Sequence, residues 1–231
     1  LMLSQDYLCF RRSRKYLQII MQREVTSYFA RSSNSAEDEH GLVELLHAAI
    51  KPNNGFSRTD FEAELLNMAF TSSFSSALTI HWLIYLLDRN HDALQSIHEE
   101  KKGRRVNKGC NSTKHSYSVL QACIMETLRL YPPFWILSRV AIAPDQWQQT
   151  EIKSGTTVTI DVSRLHRHPD YWSHPNAFDY TRFIGSEHQN EPNSCYMPFG
   201  VGSRRCPAAS LAMVEIEVIA EELLANFDFH L

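Results

Sequence analysis

The stretch Pro198-Phe199-Gly200-Val201-Gly202-Ser203-Arg204-Arg205-Cys206-Pro207-Ala208-Ala209-Ser210-Leu211-Ala212-Met213 decides how the chain is read. Gly200 and Gly202 let a loop backbone take angles closed to other residues and approach a flat partner closely. Apolar residues at Leu211, Val214, Val218 and Leu223 predict an amphipathic helix starting just after Cys206. Pro207 suits its first position, where a missing N–H costs nothing. Cys206 is thereby expected near the positive end of a helix dipole beside Arg204 and Arg205, a setting that favours thiolate. Phe199 is positioned to cover the sulfur and exclude water. A thiolate on a rigid loop is a metal ligand or a nucleophile; the bland alternative is a loop cysteine that only packs.

With 231 residues, 43% hydrophobic and 21% charged, the chain has a globular composition and enough length to bury a core. A net charge of -3 argues against general nucleic-acid binding. Cysteines 9, 110, 123, 195 and 206 form no C-x-x-C pair and are odd in number. That fits a reducing, cytoplasmic setting and speaks against a zinc module or a disulfide framework. The chain begins at Leu1 and reads as entering mid-protein, so membrane attachment through an upstream segment stays open.

Residues 7–31 read as a basic-ended helix with Leu17, Ile20, Met21, Val25 and Tyr28 at helical spacing; Arg11, Arg12, Arg14 and Lys15 form its solvated face. A polar loop over 32–40, a short helix over 42–50 and a turn over 51–55 follow. Thr59-Asp60-Phe61-Glu62 offers a capping-box start for a helix running to about residue 90. No residue between Glu64 and Asp88 is charged, yet Asn67, His81 and the hydroxyls of Thr71, Ser72, Ser73, Ser75, Ser76 and Thr79 suit a buried helix better than a membrane span.

A helix over 92–102 precedes the basic run Lys101, Lys102, Arg104, Arg105 and Lys108, read as solvated rather than as a docking patch. Residues 118–130 are helical, and Glu126 and Arg129 share one face. Their neighbours Val119, Leu120, Cys123, Ile124, Met125 and Leu130 predict a buried bidentate pair kept for geometry. Pro132-Pro133 ends that helix, and 134–140 continues extended through Trp135. Residues 150–153 and 156–160 flank Ser154-Gly155 as strands of a small sheet. His166, His168 and His174 have no suitably spaced acidic or cysteine partner and read as a solvated helix end rather than a metal site. A polar loop, 185–194, leads back to the cysteine.

Phe199-x-x-Gly202-x-Arg204-x-Cys206-x-Ala208 resembles the haem-binding signature of the cytochrome P450 family, with Ala208 where glycine is usual. Glu126-x-x-Arg129 followed by Leu130-Tyr131-Pro132-Pro133 is similar to that family's helix pair. Pro175-Asn176-Ala177-Phe178-Asp179-Tyr180-Thr181-Arg182-Phe183 is similar to its Pro-x-x-Phe-x-Pro-x-Arg-Phe loop; Arg182 is the third member of the network and Tyr180 replaces the second proline. The resemblance implies a mainly α fold with a small β-sheet. It also implies that residues 1–231 are the C-terminal part of a cytochrome P450 domain whose N-terminal part is missing, a piece expected to be inactive alone.

The same resemblance implies a haem b cofactor with Cys206 as axial thiolate and iron ligand. Phe199, Gly200, Arg204 and Ala208 would hold the cofactor, with Arg139 and Arg204 on its propionates. Phe70, Phe74, Ile136 and Leu137 would line a substrate pocket. The long helix would cross the distal face, with Ala69-Phe70-Thr71-Ser72-Ser73-Phe74 on the motif Ala-Gly-x-(Asp/Glu)-Thr-(Thr/Ser). Ser73 then stands for the catalytic threonine, Ser72 for the acid and Phe70 for the glycine, so the proton relay is altered. The implied reaction is monooxygenation: thiolate ligation assists O–O cleavage, one oxygen atom of O2 enters a lipophilic small molecule, and a ferredoxin or flavin reductase supplies electrons. Two readings stand beside it: an isomerase or peroxygenase that does not activate O2, and a non-catalytic truncated remnant.

Overall fold

The computed structural model describes residues 57–106, 117–184 and 195–229, with scattered helical positions between 15 and 27. Lys15, Tyr16, Ile19, Ile20, Gln22, Arg23, Thr26 and Ser27 are helical and exposed, in keeping with the helix expected over 7–31. The rest of that helix, the readings over 32–55, Lys108 and the 185–194 loop lie outside the described residues.

Helix α1 spans Arg58–Asp88. Its reciprocal cap lies two residues earlier than the expected Thr59 to Glu62. The Ser57 N–H and hydroxyl donate to the Asp60 carboxylate at 2.8 and 2.7 Å, and the Asp60 N–H donates back to Ser57 Oγ at 3.2 Å. These hydrogen bonds hold the Asp60 carboxyl below its usual range. The helix accommodates its hydroxyls by bonding them to its own backbone: Thr71 Oγ1 to Asn67 O at 2.8 Å, Ser73 Oγ to Ala69 O at 2.7 Å and Thr79 Oγ1 to Ser75 O at 2.9 Å. Thr59–Asp88 is long and apolar enough to cross a membrane, and 33% of its most apolar window is buried here. Burial is confined to particular turns. Ser76, Thr79, Ile80, Leu83, Leu86 and Leu87 are buried, whereas 70–74 are exposed, so within this chain the burial expected of the helix falls mainly on its C-terminal half.

The chain divides into two compact units, Leu1–Phe74 and Ser75–Leu231, with the boundary inside α1. In the first, Phe61 and Leu65 are buried. The second is built on four helical segments: the end of α1, α2 (His91–Val106), α3 (Val119–Leu130) and α5 (Ala209–Asn226). The short α4 is Val162–Leu165. The core joins Ile80, Leu83 and Leu87 of α1, Ala93 and Ile97 of α2, Leu120, Cys123, Ile124 and Leu128 of α3, and Ile216 and Ala220 of α5. Burial, and secondarily the Glu126 charge, push the Cys123 thiol up to about 12, so it packs as a neutral apolar group.

Helix α3 begins at a capping box. Ser118 Oγ accepts the Gln121 N–H at 3.0 Å, and Gln121 Oε1 accepts the Ser118 N–H at 3.0 Å. The Glu217 carboxylate of α5 accepts from Ser118 Oγ at 3.4 Å and Gln121 Nε2 at 2.8 Å, while Ser76 Oγ of α1 donates to Glu215 at 2.8 Å. Trp82 of α1 stacks on Tyr131 just beyond α3 at 3.9 Å between ring centres. Helices α1, α3 and α5 are thus held in fixed register by polar and aromatic contacts as well as by the core.

The strands form two separate antiparallel pairs. β1 (Ile136–Val140) pairs with β4 (Thr157–Asp161), placing Leu137 opposite Ile160 and Arg139 opposite Val158. β2 (Asp145–Trp147) pairs with β3 (Thr150–Ile152). The two strands expected around Ser154-Gly155 therefore belong to different sheets. The reason is local: Gly155 has φ +84, its N–H donates to Ala141 O at 2.8 Å, and Ala141 N–H donates to Thr156 O at 2.9 Å. The turn delivers the chain onto β1 instead of folding it back on itself.

Helix α5 also departs from expectation. It starts at Ala209, after a turn through Pro207 and Ala208. Its inward stripe is Ala209, Ile216 and Ala220, joined by half-buried Met213 and Leu223, while Leu211, Val214 and Val218 are exposed. Two apolar stripes interleave on this helix, and the sequence pattern highlighted the outer one.

Candidate functional site

Arg129 and Glu126 of α3 are fully buried side by side. Arg129 Nε donates to Glu126 Oε2 at 2.7 Å and Nη2 donates to Oε1 at 2.8 Å, the expected bidentate fork. Nη1 donates to His166 O at 2.8 Å and Pro175 O at 2.7 Å, and Nη2 donates to Ala177 O at 3.0 Å. All five guanidinium N–H groups are therefore used. The face of this guanidinium lies 5.0 Å from the Trp172 ring centre. Glu126 Oε1 accepts the Asp179 N–H at 2.8 Å and pairs with Arg182 Nε at 3.5 Å. Arg182 sits on a 3-10 turn, Tyr180–Phe183, and also donates to Ser173 Oγ and His174 O. The three residues singled out from the sequence come together, and the loop between 166 and 182 is clamped onto α3. Tyr180, where proline was expected, donates its hydroxyl to Ser96 Oγ at 3.1 Å and ties the same loop to α2.

His166 is not a solvated helix end. It is fully buried, with Nδ1 at 3.1 Å from Arg129 O and Nε2 at 2.9 Å from Met197 N. The Met197 amide can only donate, so Nε2 accepts and Nδ1 carries the proton given to Arg129 O. Burial, helped by the Arg129 and Arg167 charges, lowers its pKa to about 4. The Tyr196 ring stacks 5.3 Å from it, and burial raises that phenol well above its ordinary value while its O–H donates to Met125 O at 2.9 Å. His166 stands four residues after buried Val162, on the same face of a helical turn, but its bonding partners lie far off in the sequence.

The cysteine loop begins at Met197. Met197 O accepts the Gly200 N–H at 3.0 Å, a 3-10 turn runs Gly202–Arg204, Gly202 O accepts the Arg205 N–H at 3.0 Å, and Phe199 O accepts the Cys206 N–H at 2.9 Å. Gly200 and Gly202 have φ +72 and +71, the left-handed region that glycine enters without strain. A Cβ at Gly200 would meet only ordinary contacts, at 3.8 Å from Leu137 Cδ1 and Arg204 O, so backbone angle rather than crowding requires glycine there. Phe199 leans on the helical core, and Cys206 is half-buried. Ala208 is in the turn before α5, in the position that precedes the helix, with no side-chain cap.

Leu137 approaches Gly200 from β1, and Arg139, two residues on, shares its face of the strand. Arg139 and Arg204 are exposed and carry no ion pair among the described residues; Arg139 Nη1 donates to Ser138 O at 2.8 Å. Ile136 is exposed and Leu137 half-buried. On α1, the rings of Phe70 and Phe74 stack on successive turns with centres 6.5 Å apart, both exposed, and Ser72 and Ser73 each donate to Ala69 O, at 3.4 and 2.7 Å. These four residues belong to the first compact unit and the cysteine loop to the second.

No cluster of three or more His, Cys, Asp or Glu suited to a metal ion occurs among the described residues. Cys206 offers a single protein donor on a loop shaped for close approach, which suits a metal that arrives in a planar carrier supplying its other ligands. The fold is mainly helical with small antiparallel sheets. The chain belongs to the cytochrome P450 family, whose model matches residues 2–231. It is 30% identical over 211 residues to dimethylnonatriene synthase of Arabidopsis thaliana, covering 87% of this chain and 40% of that protein. It is 33% identical over 178 residues to tabersonine 16-hydroxylase 2 of Catharanthus roseus, covering 74% and 34%. With cytochrome P450 4A24 of Sus scrofa it shares 30% identity over 190 residues, covering 80% and 37%. The chain spans less than half the length of these relatives. Membership implies a haem cofactor and, at the level of the family, monooxygenase-type chemistry.

Proposed function

We propose that this chain supplies the thiolate side of a haem monooxygenase that inserts one oxygen atom of O2 into a lipophilic small molecule, with electrons from a ferredoxin or flavin reductase. The observation that carries the reading is the Cys206 loop itself: a half-buried sulfur, two glycines at positive φ, and a backbone tied at Gly200, Arg205 and Cys206. The residues present fit the cofactor. Cys206 would give the sulfur ligand, Leu137 and Phe199 give apolar contacts at the loop, Gly200 allows close backbone approach, and Ala208 keeps the entry to α5 uncluttered. Arg139 and Arg204, which carry no ion pair among the described residues, would grip the two propionates. Bound haem would supply the redox and oxygen chemistry, with Cys206 as the protein's ligand to it.

The polypeptide's own part is positional. The Glu126, Arg129 and Arg182 network fixes the segment behind the loop, and the loop hydrogen bonds fix the sulfur's direction. Ile136 and Leu137 of β1 offer apolar surface in the unit that carries the cysteine loop, consistent with a lipophilic substrate. Replacing Cys206→Ala in the full-length protein should abolish the Soret shift of the reduced, carbon-monoxide-bound form and abolish oxidation. A variant that kept the wild-type spectrum would refute the reading.

A second reading draws on α1. Where an acid and an alcohol would pass protons, the chain has Ser72 and Ser73, both of whose hydroxyls donate to Ala69 O within the helix. Neither is an acid, which favours a peroxide-using or isomerising enzyme. Turnover with peroxide and none with O2 plus reductase would select it; the reverse would restore Ser73 as the relay hydroxyl.

A further inference from the structure

We infer that His166 is a positioning residue for the cysteine ligand, a rigid neutral bridge that holds the base of the Cys206 loop on the helix carrying Glu126 and Arg129. This rests on the haem-thiolate reading above.

The bridge is continuous. Arg129 O accepts from His166 Nδ1 at 3.1 Å, His166 Nε2 accepts from Met197 N–H at 2.9 Å, and Met197 O accepts from Gly200 N–H at 3.0 Å. Gly200 opens the left-handed turn, and Phe199 O, one residue before it, accepts the Cys206 N–H at 2.9 Å. The backbone of residue 166 is fixed from the other side, since its carbonyl accepts Arg129 Nη1 at 2.8 Å. One residue therefore touches Arg129 twice and the loop once. The ring is fully buried and Tyr196 covers it at 5.3 Å, so water does not compete for either nitrogen.

Only a neutral imidazole offers a donor and an acceptor on one rigid plane at these two reaches. Asparagine imitates Nδ1 and keeps the bond to Arg129 O, but it is too short to reach Met197. Glutamine imitates Nε2, and its carbonyl oxygen accepts the Met197 N–H. Phenylalanine fills the space and leaves the Arg129 carbonyl and the Met197 amide buried without partners, each a costly state. The loop bond and general packing are thereby separable.

The experiment compares wild type, His166→Gln, His166→Asn and His166→Phe in the full-length protein. One arm measures the thiolate-ligated fraction from the Soret band of the reduced, carbon-monoxide-bound form. The other measures amide hydrogen exchange of the peptide 195–206 in the haem-free protein. His166→Asn and His166→Phe should lose about half or more of the thiolate-ligated fraction, and their 195–206 amides should exchange about tenfold faster, the effect of one lost hydrogen bond. His166→Gln should stay near wild type in both arms. Unchanged exchange and spectrum in His166→Asn would overturn the inference, as would equal losses in the Gln and Asn variants. If His166→Phe fails to fold, the Gln and Asn pair still decides. Absence of any haem spectrum in wild type would sink the function proposed above, and the exchange arm would then decide the role of His166 alone.

Discussion

Arg129 makes five hydrogen bonds, two to Glu126 and three to carbonyls of a loop 37 to 48 residues away. Lysine at this position keeps the charge and loses the fork, leaving two or more buried acceptors without donors. Arg129→Lys should therefore lower stability by about 3 kcal/mol in denaturant unfolding. Arg182 meets Glu126 at a looser 3.5 Å from a side chain 10% exposed, so Arg182→Lys should cost about 1 kcal/mol.

The Glu126 and Arg129 pair was readable because three-residue spacing on a helix and apolar neighbours on both sides are local facts. His166 was not, because its two partners come from 37 and 31 residues away and nothing in its own neighbourhood names them. A pH titration separates it from the carboxylates. Its pKa falls from 6.5 to about 4 on folding, so the folded state favours the neutral ring. The resulting stability is fully present above pH 6.5 and is lost as pH falls toward 4, by about 3 kcal/mol in total. His166→Gln should flatten the slope of unfolding free energy in that window, and an unaltered slope would contradict the neutral bridge.

Among the elements, α3 was the most legible: residues 118–130 read as helical and Pro132-Pro133 gave its stop signal, while the capping box of Ser118 with Gln121 came from the structure. Ser118→Ala removes the cap and the contact to Glu217 together. It should destabilise by about 1 kcal/mol in thermal unfolding. A wild-type midpoint would mean that the helix end is held by packing alone. The strands were less legible. Residues 150–160 show where extended chain lies but not what it pairs with, and the partners are set by Gly155 bonding to Ala141. Helix α5 was misread by face because both of its stripes follow helical spacing, and only the tertiary packing of Ile216 and Ala220 on α3 and α1 selects between them.

For the molecule as a whole, the motif resemblance gave the family and implied the mainly helical class, while exposure had to come from the structure. Leu211, Val214 and Val218 form an uncovered apolar row on α5, with Leu211 64% exposed. Leu211→Lys combined with Val218→Lys should reduce binding of an apolar fluorescent dye by this 231-residue chain. Its unfolding midpoint should stay unchanged to within about 0.5 kcal/mol, as at other exposed positions. A large loss of stability would show that the row is packed in solution.

The buried carboxylate of residue 126 has a consequence for how the protein is made. Two of its contacts, the amide of Asp179 and the side chain of Arg182, lie more than fifty positions later in the message. A nascent chain that has emerged only as far as Pro133 holds this charged pair in water, without the partners that clamp it once it is buried. The clamp on the 166–182 loop can close only after Arg182 leaves the ribosome, and Cys206 follows 24 residues later. Order of synthesis thus brings the clamp before the ligand, while α5, whose Ile216 and Ala220 complete the core around α3, emerges after both.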